Sequence, residues 1–355
     1  MERTKGTKRK AVTKLEAVHS NLLYRTGCSL LDFALSDHYE GGFQLGKIAN
    51  IIGDSHSGKT ALALSCYAEM AKDERFRKYR FIYDDAEEAC EFNMAKMFGQ
   101  DTEDRIEPPG GYGDEDRPIM SSTIQDFHVN LIDALDGKKP FLYILDSLDA
   151  LNAEEDIEKM EDFIKAKKEG KKTKGTYGMA KAKRMSWILR DIVDRLKETK
   201  SGLLIISQTR ADINPRSFKT RTRAGGEALR FYCTHELWLA HLRNRKKKKI
   251  QIGADTRTKV SKNKLTGKVR VVDYPIYDHY GVDDIGATID WLVANGYWKQ
   301  TRNTIDARPF GKGTREKLIK EIEKKNKEEA LRKHAFKWWR EFEDSLKLGR
   351  KAKYS

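Results

Sequence analysis

The segment Gly53-Asp54-Ser55-His56-Ser57-Gly58-Lys59-Thr60 constrains this chain more than any other stretch of it. An apolar run, residues 48–52, leads into it, and a helical pattern over residues 61–71 leads out. The two glycines permit backbone turns that aim successive N–H groups into one hollow, and the N-terminus of the following helix adds partial positive charge. A loop of this kind is built to hold phosphate. Lys59 would reach the β- and γ-phosphates of a nucleotide, and the Thr60 hydroxyl would bind Mg²⁺. The expected ligands are therefore ATP and Mg²⁺, cradled by Gly53 through Thr60, with His56 facing solvent.

The strand and helix that flank this loop recur along the chain. Apolar runs at 47–52, 81–85, 141–146 and 203–207 are each bounded by turn residues and are each expected to be followed by a helical stretch. Helical periodicity is expected over 60–71, 87–98, 123–135 and 179–197, the last with Met185, Ile188, Ile192 and Leu196 on one face. Such alternation predicts an α/β core with a mainly parallel, twisted sheet between helices. The runs 236–242 and 268–277 read as strands that extend the sheet. Beyond residue 300, Leu318 and Ile322, then Leu331, Ala335, Trp338, Phe342 and Leu346, form a stripe at helical spacing. Residues 1–24 read as a basic arm, 25–300 as the core and 301–355 as a small basic helical unit.

A phosphate-binding loop needs a carboxylate at the end of a neighbouring strand to hold the metal, in part through water, and Asp146 closes the run Phe141-Leu142-Tyr143-Ile144-Leu145-Asp146. Hydrolysis needs a group that orients water. Asp84 and Asp85 close the run at 81–85 and Glu87 and Glu88 follow it, and each of the four fits that role or a helix start.

Lys and Arg total 69 against 54 Asp and Glu, a formal net charge of +15, which favours polyanionic partners. Two stretches concentrate it. Residues 154–178 turn from acidic to lysine-rich and read as a loop too polar for the core. Residues 209–224 carry Arg210, Arg216, Lys219, Arg221 and Arg223 against one acid, Asp212, with Phe218 either an apolar wedge or stacking face for bases or a loop residue tucked against the domain. Both follow strands and should emerge at the same sheet edge. Arg243, Arg245 and residues 246–249 add a further cationic cluster. The four cysteines stand singly, without metal-ligand spacing, and are expected to be buried thiols. No run approaches the roughly 20 apolar residues of a membrane span, so a soluble, cytoplasmic protein is expected.

The order of these motifs resembles the RecA family of recombinases, including phage recombinases of the UvsX type, over residues 24–298. Residues 26–32 with Gly46-Lys47-Ile48 resemble the family's entry into its core. Asp85-Ala86-Glu87 resembles its catalytic glutamate motif, which selects Glu87 as the water-orienting residue. Asp146-Ser147-Leu148-Asp149-Ala150-Leu151 resembles the second nucleotide motif, and Ile205-Ile206-Ser207-Gln208 ends in the glutamine that by resemblance senses the γ-phosphate. Gly225-Gly226-Glu227-Ala228-Leu229-Arg230-Phe231-Tyr232 resembles the segment closing the second DNA-binding loop. Lys262-Asn263-Lys264 resembles the lysine pair that reaches a neighbouring subunit's ATP.

The resemblance implies a RecA-like P-loop ATPase core and a DNA-dependent ATPase. It would form helical filaments on single-stranded DNA and exchange strands with a homologous duplex, assisted by a single-strand-binding protein and a loader, with no membrane partner. The loops at 154–178 and 209–224 would be its DNA-binding loops. Two other readings share the core: a hexameric helicase or motor, and a mediator that binds nucleotide without exchanging strands. The first loop is longer and richer in lysine than the family pattern, and the C-terminal unit is basic rather than acid-tailed.

Overall fold

The computed structural model describes residues 20–169, 179–211, 221–223 and 226–350. Its strands in chain order are β1 (Leu23–Tyr24), β2 (Phe43–Gln44), β3 (Ile48–Gly53), β4 (Arg80–Asp85), β5 (Ile106–Glu107), β6 (Phe141–Asp146), β7 (Gly202–Ala211) and β8 (Arg221–Arg223). There follow β9 (His235–Lys247), β10 (Ile250–Asn263), β11 (Arg270–Tyr277), β12 (Gly281–Val282), β13 (Lys299–Thr301), β14 (Thr304–Asp306) and β15 (Lys312–Gly313). The helices are α1 (Ser29–Ser36), α2 (Lys59–Ala71), α3 (Met94–Phe98), α4 (Gln100–Arg105), α5 (Ile124–Asp136), α6 (Glu154–Lys168), α7 (Met179–Thr199), α8 (Gly226–Tyr232), α9 (Asp284–Ala294), α10 (Arg315–Lys324) and α11 (Glu328–Ser345).

Among the described residues, one large sheet runs in the order β12-β11-β10-β9-β3-β7-β6-β4-β5, with β8 paired to β7. From β9 to β5 every neighbour is parallel, and β10, β11 and β12 continue antiparallel. The central strands read as unbroken apolar runs because both faces are covered. Along β6, Leu142 and Ile144 point into a core shared with α1 and α2, whereas Phe141, Tyr143 and Leu145 enter a second core with α5, α7 and α8. β7 divides the same way, with Leu204 and Ile206 on one side and Leu203 and Ile205 on the other. The expected face of α7 is fully used: Met185, Ile188, Ile192 and Leu196 are all buried.

Several expectations need correction. Residues 87–98 are not one helix: Asp85 accepts a hydrogen bond from the Cys90 amide at 2.9 Å, Glu88 adopts a φ of 50°, and Asn93 caps a helix that begins only at Met94. The first loop is helical over Glu154–Lys168. Glu154, Glu155 and Asp156 occupy its first turn and Lys165, Lys167 and Lys168 its last, so the charge gradient that suggests a loop instead complements a helix dipole. The second loop is partly a ribbon, with Thr209 opposite Arg223 and Ala211 opposite Arg221. Leu23 and Tyr24, assigned to the arm, are buried strand. Strand β10 escapes the sequence reading because its buried face is itself largely polar, with Asp255, Thr256 and Thr258 buried while Arg257 and Lys259 are exposed. Cys28, Cys66 and Cys233 are buried as expected, while Cys90 is only half-buried.

The segment expected to be a helical unit begins with a three-stranded sheet, β13-β14-β15, before α10 and α11. On α11 the buried positions are Leu331, Arg332, Ala335, Trp339 and Glu343, so the stripe is rotated and includes two charges. Ala335 and Trp339 pack into the α1–α2 core, and Leu331 joins a smaller cluster with α9 and α10. Arg332 enters the core at 5% exposure, donating to fully buried Asp32 at 2.9 Å, to Ser29 Oγ at 3.0 Å and to the Tyr39 carbonyl at 2.6 Å. Glu343 receives Arg270 at 2.6 Å and Lys268 at 2.8 Å.

Replacing Arg332 with Met should cost roughly 3–5 kcal/mol in urea unfolding, because Asp32 keeps its burial and loses its cation. Adding Asp32→Asn should recover much of that loss. A single variant as stable as the parent would remove this ion pair from the account of how α11 is held.

Candidate nucleotide site

The carboxyl ends of β3, β7, β6 and β4 lie side by side in the sheet. Gly53 pairs with Gln208, Ile205 with Leu145, and Asp146 with Asp85. Residues far apart in sequence, from Gly53 to Gln208, therefore meet at one edge.

The loop between β3 and α2 is shaped by its glycines. A side chain at Gly53 would place Cβ 2.4 Å from Ser57 Oγ, and Gly58 has a φ of 88° with Ile276 Cδ1 2.3 Å from where its Cβ would lie. Ser57 Oγ donates to the Asp54 carbonyl at 2.7 Å and braces the turn. Lys59 Nζ folds over the loop onto the same carbonyl at 2.8 Å, and burial lowers its pKa. Asp54, Ser55 and His56 are exposed, and the first turn of α2 presents amides that no helical carbonyl can accept. Thr60 Oγ1 donates to Asp146 Oδ2 at 2.6 Å.

These features fit a nucleotide triphosphate with Mg²⁺. Backbone amides, an ammonium group and a helix terminus converge on one surface, and a hydroxyl stands against a carboxylate. Mg²⁺ takes few protein ligands and leaves its other positions to phosphate and water, which suits Thr60 and Asp146. Among the described residues, no group of three or more His, Cys, Asp or Glu is arranged for a metal, so an all-protein cage is not the design. Burial pushes the Asp146 carboxyl up to about 6, offset in part by hydrogen bonds from Thr60 and Tyr83. A buried carboxylate pressed toward neutrality is one that a cation would stabilise.

The four candidate carboxylates after β4 separate cleanly. Asp84 lies under the sheet and accepts from Tyr143 Oη at 2.6 Å and from Ser121 at 2.7 and 2.9 Å. Asp85 closes the following turn, and Glu88 stands exposed. Glu87 alone of the four meets the other strand ends: Gln208 Nε2 donates to its Oε1 at 2.9 Å, and Ser147 Oγ donates to the same oxygen. The Gln208 amide in turn donates to Asp149 at 2.7 Å, and Thr209 Oγ1 donates to Asp54.

Sequence reasoning assigned no role to Tyr83, Ser147 or Asp149. Tyr83 Oη donates to Asp146 at 3.2 Å, and alternation on β4 was its only signal, since it shares a face with Asp85 two residues on. Ser147 and Asp149 were within a quoted motif, yet spacing alone could not show that they bind Glu87 and Gln208.

Lys262 and Lys264 lie at the other end of the sheet. Lys262 pairs with Glu236, which pairs with Asn50, and the Lys264 amide donates to the Thr234 carbonyl beside Ile48. Gly53 lies five residues of β3 beyond Ile48, about 16 Å, and three beyond Asn50, about 10 Å. Both ammonium groups turn onto the last carbonyls of α8: Lys264 reaches Phe231 O at 2.7 Å, and Lys262 reaches Phe231 O at 3.2 Å and Arg230 O. They are therefore not brought to the loop of their own chain.

Of the expected DNA contacts, Arg210, Arg221 and Arg223 are placed by backbone on the β7–β8 pair, and Gly226 opens α8 with a φ of 61°. Arg216, Phe218, Lys219 and Gly225 lie outside the described residues. In the long β9–β10 hairpin, Arg243 and Arg245 both donate to Asp255, so part of that cationic cluster is internally neutralised.

A phosphate loop at the end of a parallel strand, with a strand-end carboxylate against its Thr, defines a P-loop nucleotide-binding protein of the α/β class. Comparison narrows the class. Residues 3–283 match the family described as the RecA N-terminal domain. A protein named Protein RecA from Syntrophobacter fumaroxidans is 31% identical over 271 residues, covering 76% of this chain and 70% of that one. One from Sulfurovum sp. is 30% identical over 270 residues, 76% of this chain and 69% of that one. One from Streptomyces avermitilis is 28% identical over 315 residues, 85% of this chain and 75% of that one. The chain belongs to the RecA family, and its core is RecA-like. Among the described residues, no helix is long and apolar enough to cross a membrane.

The Asp146 carboxyl supplies a test of the site without DNA. Its folded value near 6 exceeds the ordinary 3.8, so between these values the folded chain holds a proton that the unfolded chain has released. The stability it contributes is full below about pH 4 and is lost as pH rises through about 6, on the order of 3 kcal/mol. Asp146→Asn should therefore raise the melting temperature of the nucleotide-free chain at pH 8 and much less at pH 4. It should also abolish the Mg²⁺-dependent part of the stabilisation by ATP. A variant less stable than the parent at pH 8 would contradict the assignment of burial as the dominant influence.

Proposed function

We propose that this chain is a DNA-dependent ATPase and recombinase that polymerises head to tail on single-stranded DNA and exchanges it with a homologous duplex. The observation that carries this reading is the polarity of the sheet. The phosphate loop lies at the carboxyl ends of the strands, and the Lys262–Lys264 pair lies at the amino ends of the same sheet. A lysine pair that cannot reach its own loop can reach that of the next copy in a heterologous assembly.

In this reading, Lys59 and the loop amides from Gly53 to Thr60 hold the triphosphate, and Thr60 with Asp146 holds Mg²⁺. Mg²⁺ held there would neutralise charge on the phosphate oxygens of the nucleotide, whose γ-phosphoryl group would pass to water. Glu87 orients the attacking water, and Gln208, bonded to Glu87, links the γ-phosphate position to β7 and the second loop. That link gives nucleotide state a path to DNA, since β7 continues directly into residues 209–224. Lys262 and Lys264 leave the α8 carbonyls and stabilise transition-state charge in the neighbouring site. Arg210, Arg216, Lys219, Arg221 and Arg223 track single-strand phosphates, with Phe218 as a base-facing ring and Gly225 and Gly226 completing the DNA-binding set. The partners that follow are single-stranded DNA, a duplex of matching sequence, a single-strand-binding protein and a loader. A phage origin of the UvsX type suits the long, lysine-rich first loop.

Mixing subunits tests the shared site. Glu87→Gln chains and Lys262→Ala/Lys264→Ala chains should each lack DNA-stimulated turnover, and together should regain part of it, because some mixed interfaces hold a full set of groups. Mixtures that co-assemble and stay inactive would place the lysine pair outside the site. The whole chain, with a circular single strand and a matching linear duplex, should yield joint molecules in the presence of ATP. Turnover without joint molecules would favour the motor reading, in which closed rings replace filaments.

A further inference from the structure

Helix α6 differs from its neighbours in what it leaves open. α5 and α7 bury their apolar faces in the core, whereas none of the residues of α6 is buried. Only its first turn is anchored: Arg184 Nε donates to Glu155 Oε1 at 2.7 Å, and Gln125 Nε2 donates to Glu155 Oε2 at 3.0 Å. Beyond that turn, Ile157, Met160 and Ile164 are 38%, 48% and 46% exposed. Their spacings of three and four put them on one stripe of the helix. A helix this short is marginal in water without tertiary contacts, and a contiguous apolar stripe on a surface marks a place of contact.

Charge along the helix narrows what can cover the stripe. Residues 154–162 hold six acids and one lysine, and residues 163–168 hold three lysines and no acid. A phosphate backbone laid along the stripe would be repelled by the acidic half. The helix instead carries the complement of each of its own halves. Two copies of α6 running in the same direction would set acid against acid and lysine against lysine. Reversing one about the midpoint between residues 160 and 161 brings Ile157 level with Ile164 of the second copy, keeps both Met160 side chains at the centre and sets Glu154 level with Lys167. Glu154, Lys165, Lys167 and Lys168 are all exposed.

We propose that α6 is a contact surface for a second copy of this chain, two α6 helices packing antiparallel about a two-fold axis through their apolar stripes. The inference stands apart from the head-to-tail reading above, because an isologous contact closes on two copies and does not propagate. Three apolar side chains from each copy bury less than the roughly 1,200 Å² at the lower limit of a standard interface, so the pair is weak and reversible. Opposite charges at both ends fix its direction.

The test uses the full chain without nucleotide or DNA, in sedimentation velocity over a concentration series. The parent should pass reversibly from monomer to a discrete dimer, and Ile157→Ser with Ile164→Ser should weaken that dimer about tenfold or more, as expected for losing two apolar contacts from each copy. Charge variants guard against loss of the helix itself. A chain with Lys165→Glu, Lys167→Glu and Lys168→Glu, and a chain with Glu154→Lys, Glu158→Lys, Glu161→Lys and Asp162→Lys, should each stay monomeric and should associate when mixed. Direction is read by mild oxidation: Ile157→Cys chains mixed with Ile164→Cys chains should form a disulfide between the two variants that neither forms alone. A parent that is monomeric throughout overturns the proposal, as do charge variants that ignore each other or a serine variant that dimerises as the parent does. A disulfide formed by Ile157→Cys chains alone overturns the antiparallel packing. A serine variant that sediments as the parent does but loses affinity for an oligonucleotide makes DNA the occupant, and a monomeric parent with slow amide exchange throughout α6 makes its own chain the occupant; either result overturns the second copy.

Discussion

A parallel strand buried on both faces has two chemically different ends, and that difference organises this molecule. β3 can lie in the middle of the sheet only because α1 and α2 cover one face and α5 and α7 the other. With both faces closed, the strand ends are where polar chemistry can gather. At the carboxyl ends stand the phosphate loop, Asp146, Glu87 and Gln208, drawn from four adjacent strands. At the amino ends stand Lys47, Lys262 and Lys264. The separation is a consequence of register rather than of any one residue, and it is the observation that supports the proposed site shared between copies.

The carboxyl-end cluster is a network rather than a set of independent groups. Thr60 and Tyr83 converge on Asp146, Ser147 and Gln208 converge on Glu87, and Asp149 holds the Gln208 amide. β7 carries Gln208 and continues as strand to Ala211, so Glu87 is bonded to the strand that leads into residues 209–224. At the far side of the core, Arg332 and Glu343 tie α11 to the body through buried ion pairs. That choice makes the C-terminal segment part of the same solid unit as α1 and β11.

Much of this was legible in the sequence, for identifiable reasons. The central strands announce themselves because burial on both faces demands uninterrupted Ile, Leu and Phe, as at Phe141–Leu145. The loop at 53–60 announces itself because few residue orders allow its turns. Asp146 follows from its place at a strand end. What stayed hidden depended on contacts between distant segments. The stripe on α11 looked apolar through Trp338 and Leu346, but partners on α1 and β11 rotate it to bury Arg332 and Glu343. Polar β10 hid because Asp255, Thr256 and Thr258 occupy its buried positions and leave no apolar alternation to read. The helix over 154–168 hid because charge density, which usually marks a loop, here follows the helix dipole. Among four acidic residues after β4, resemblance selected Glu87, and the geometry offers the physical reason in its contacts with Ser147 and Gln208.

The central claim is that one nucleotide is shared between the carboxyl end of one sheet and the amino end of the next. Electron cryomicroscopy of the chain on single-stranded DNA with a non-hydrolysable ATP analogue measures this directly, through the distance from Lys262 and Lys264 Nζ to the γ-phosphate in the adjoining copy. The account predicts a helical filament in which both ammonium groups have left the Arg230 and Phe231 carbonyls and lie within hydrogen-bonding distance, about 3 Å, of that phosphate. Filaments in which the lysines remain on α8, with the phosphate contacted only by its own chain, would contradict it.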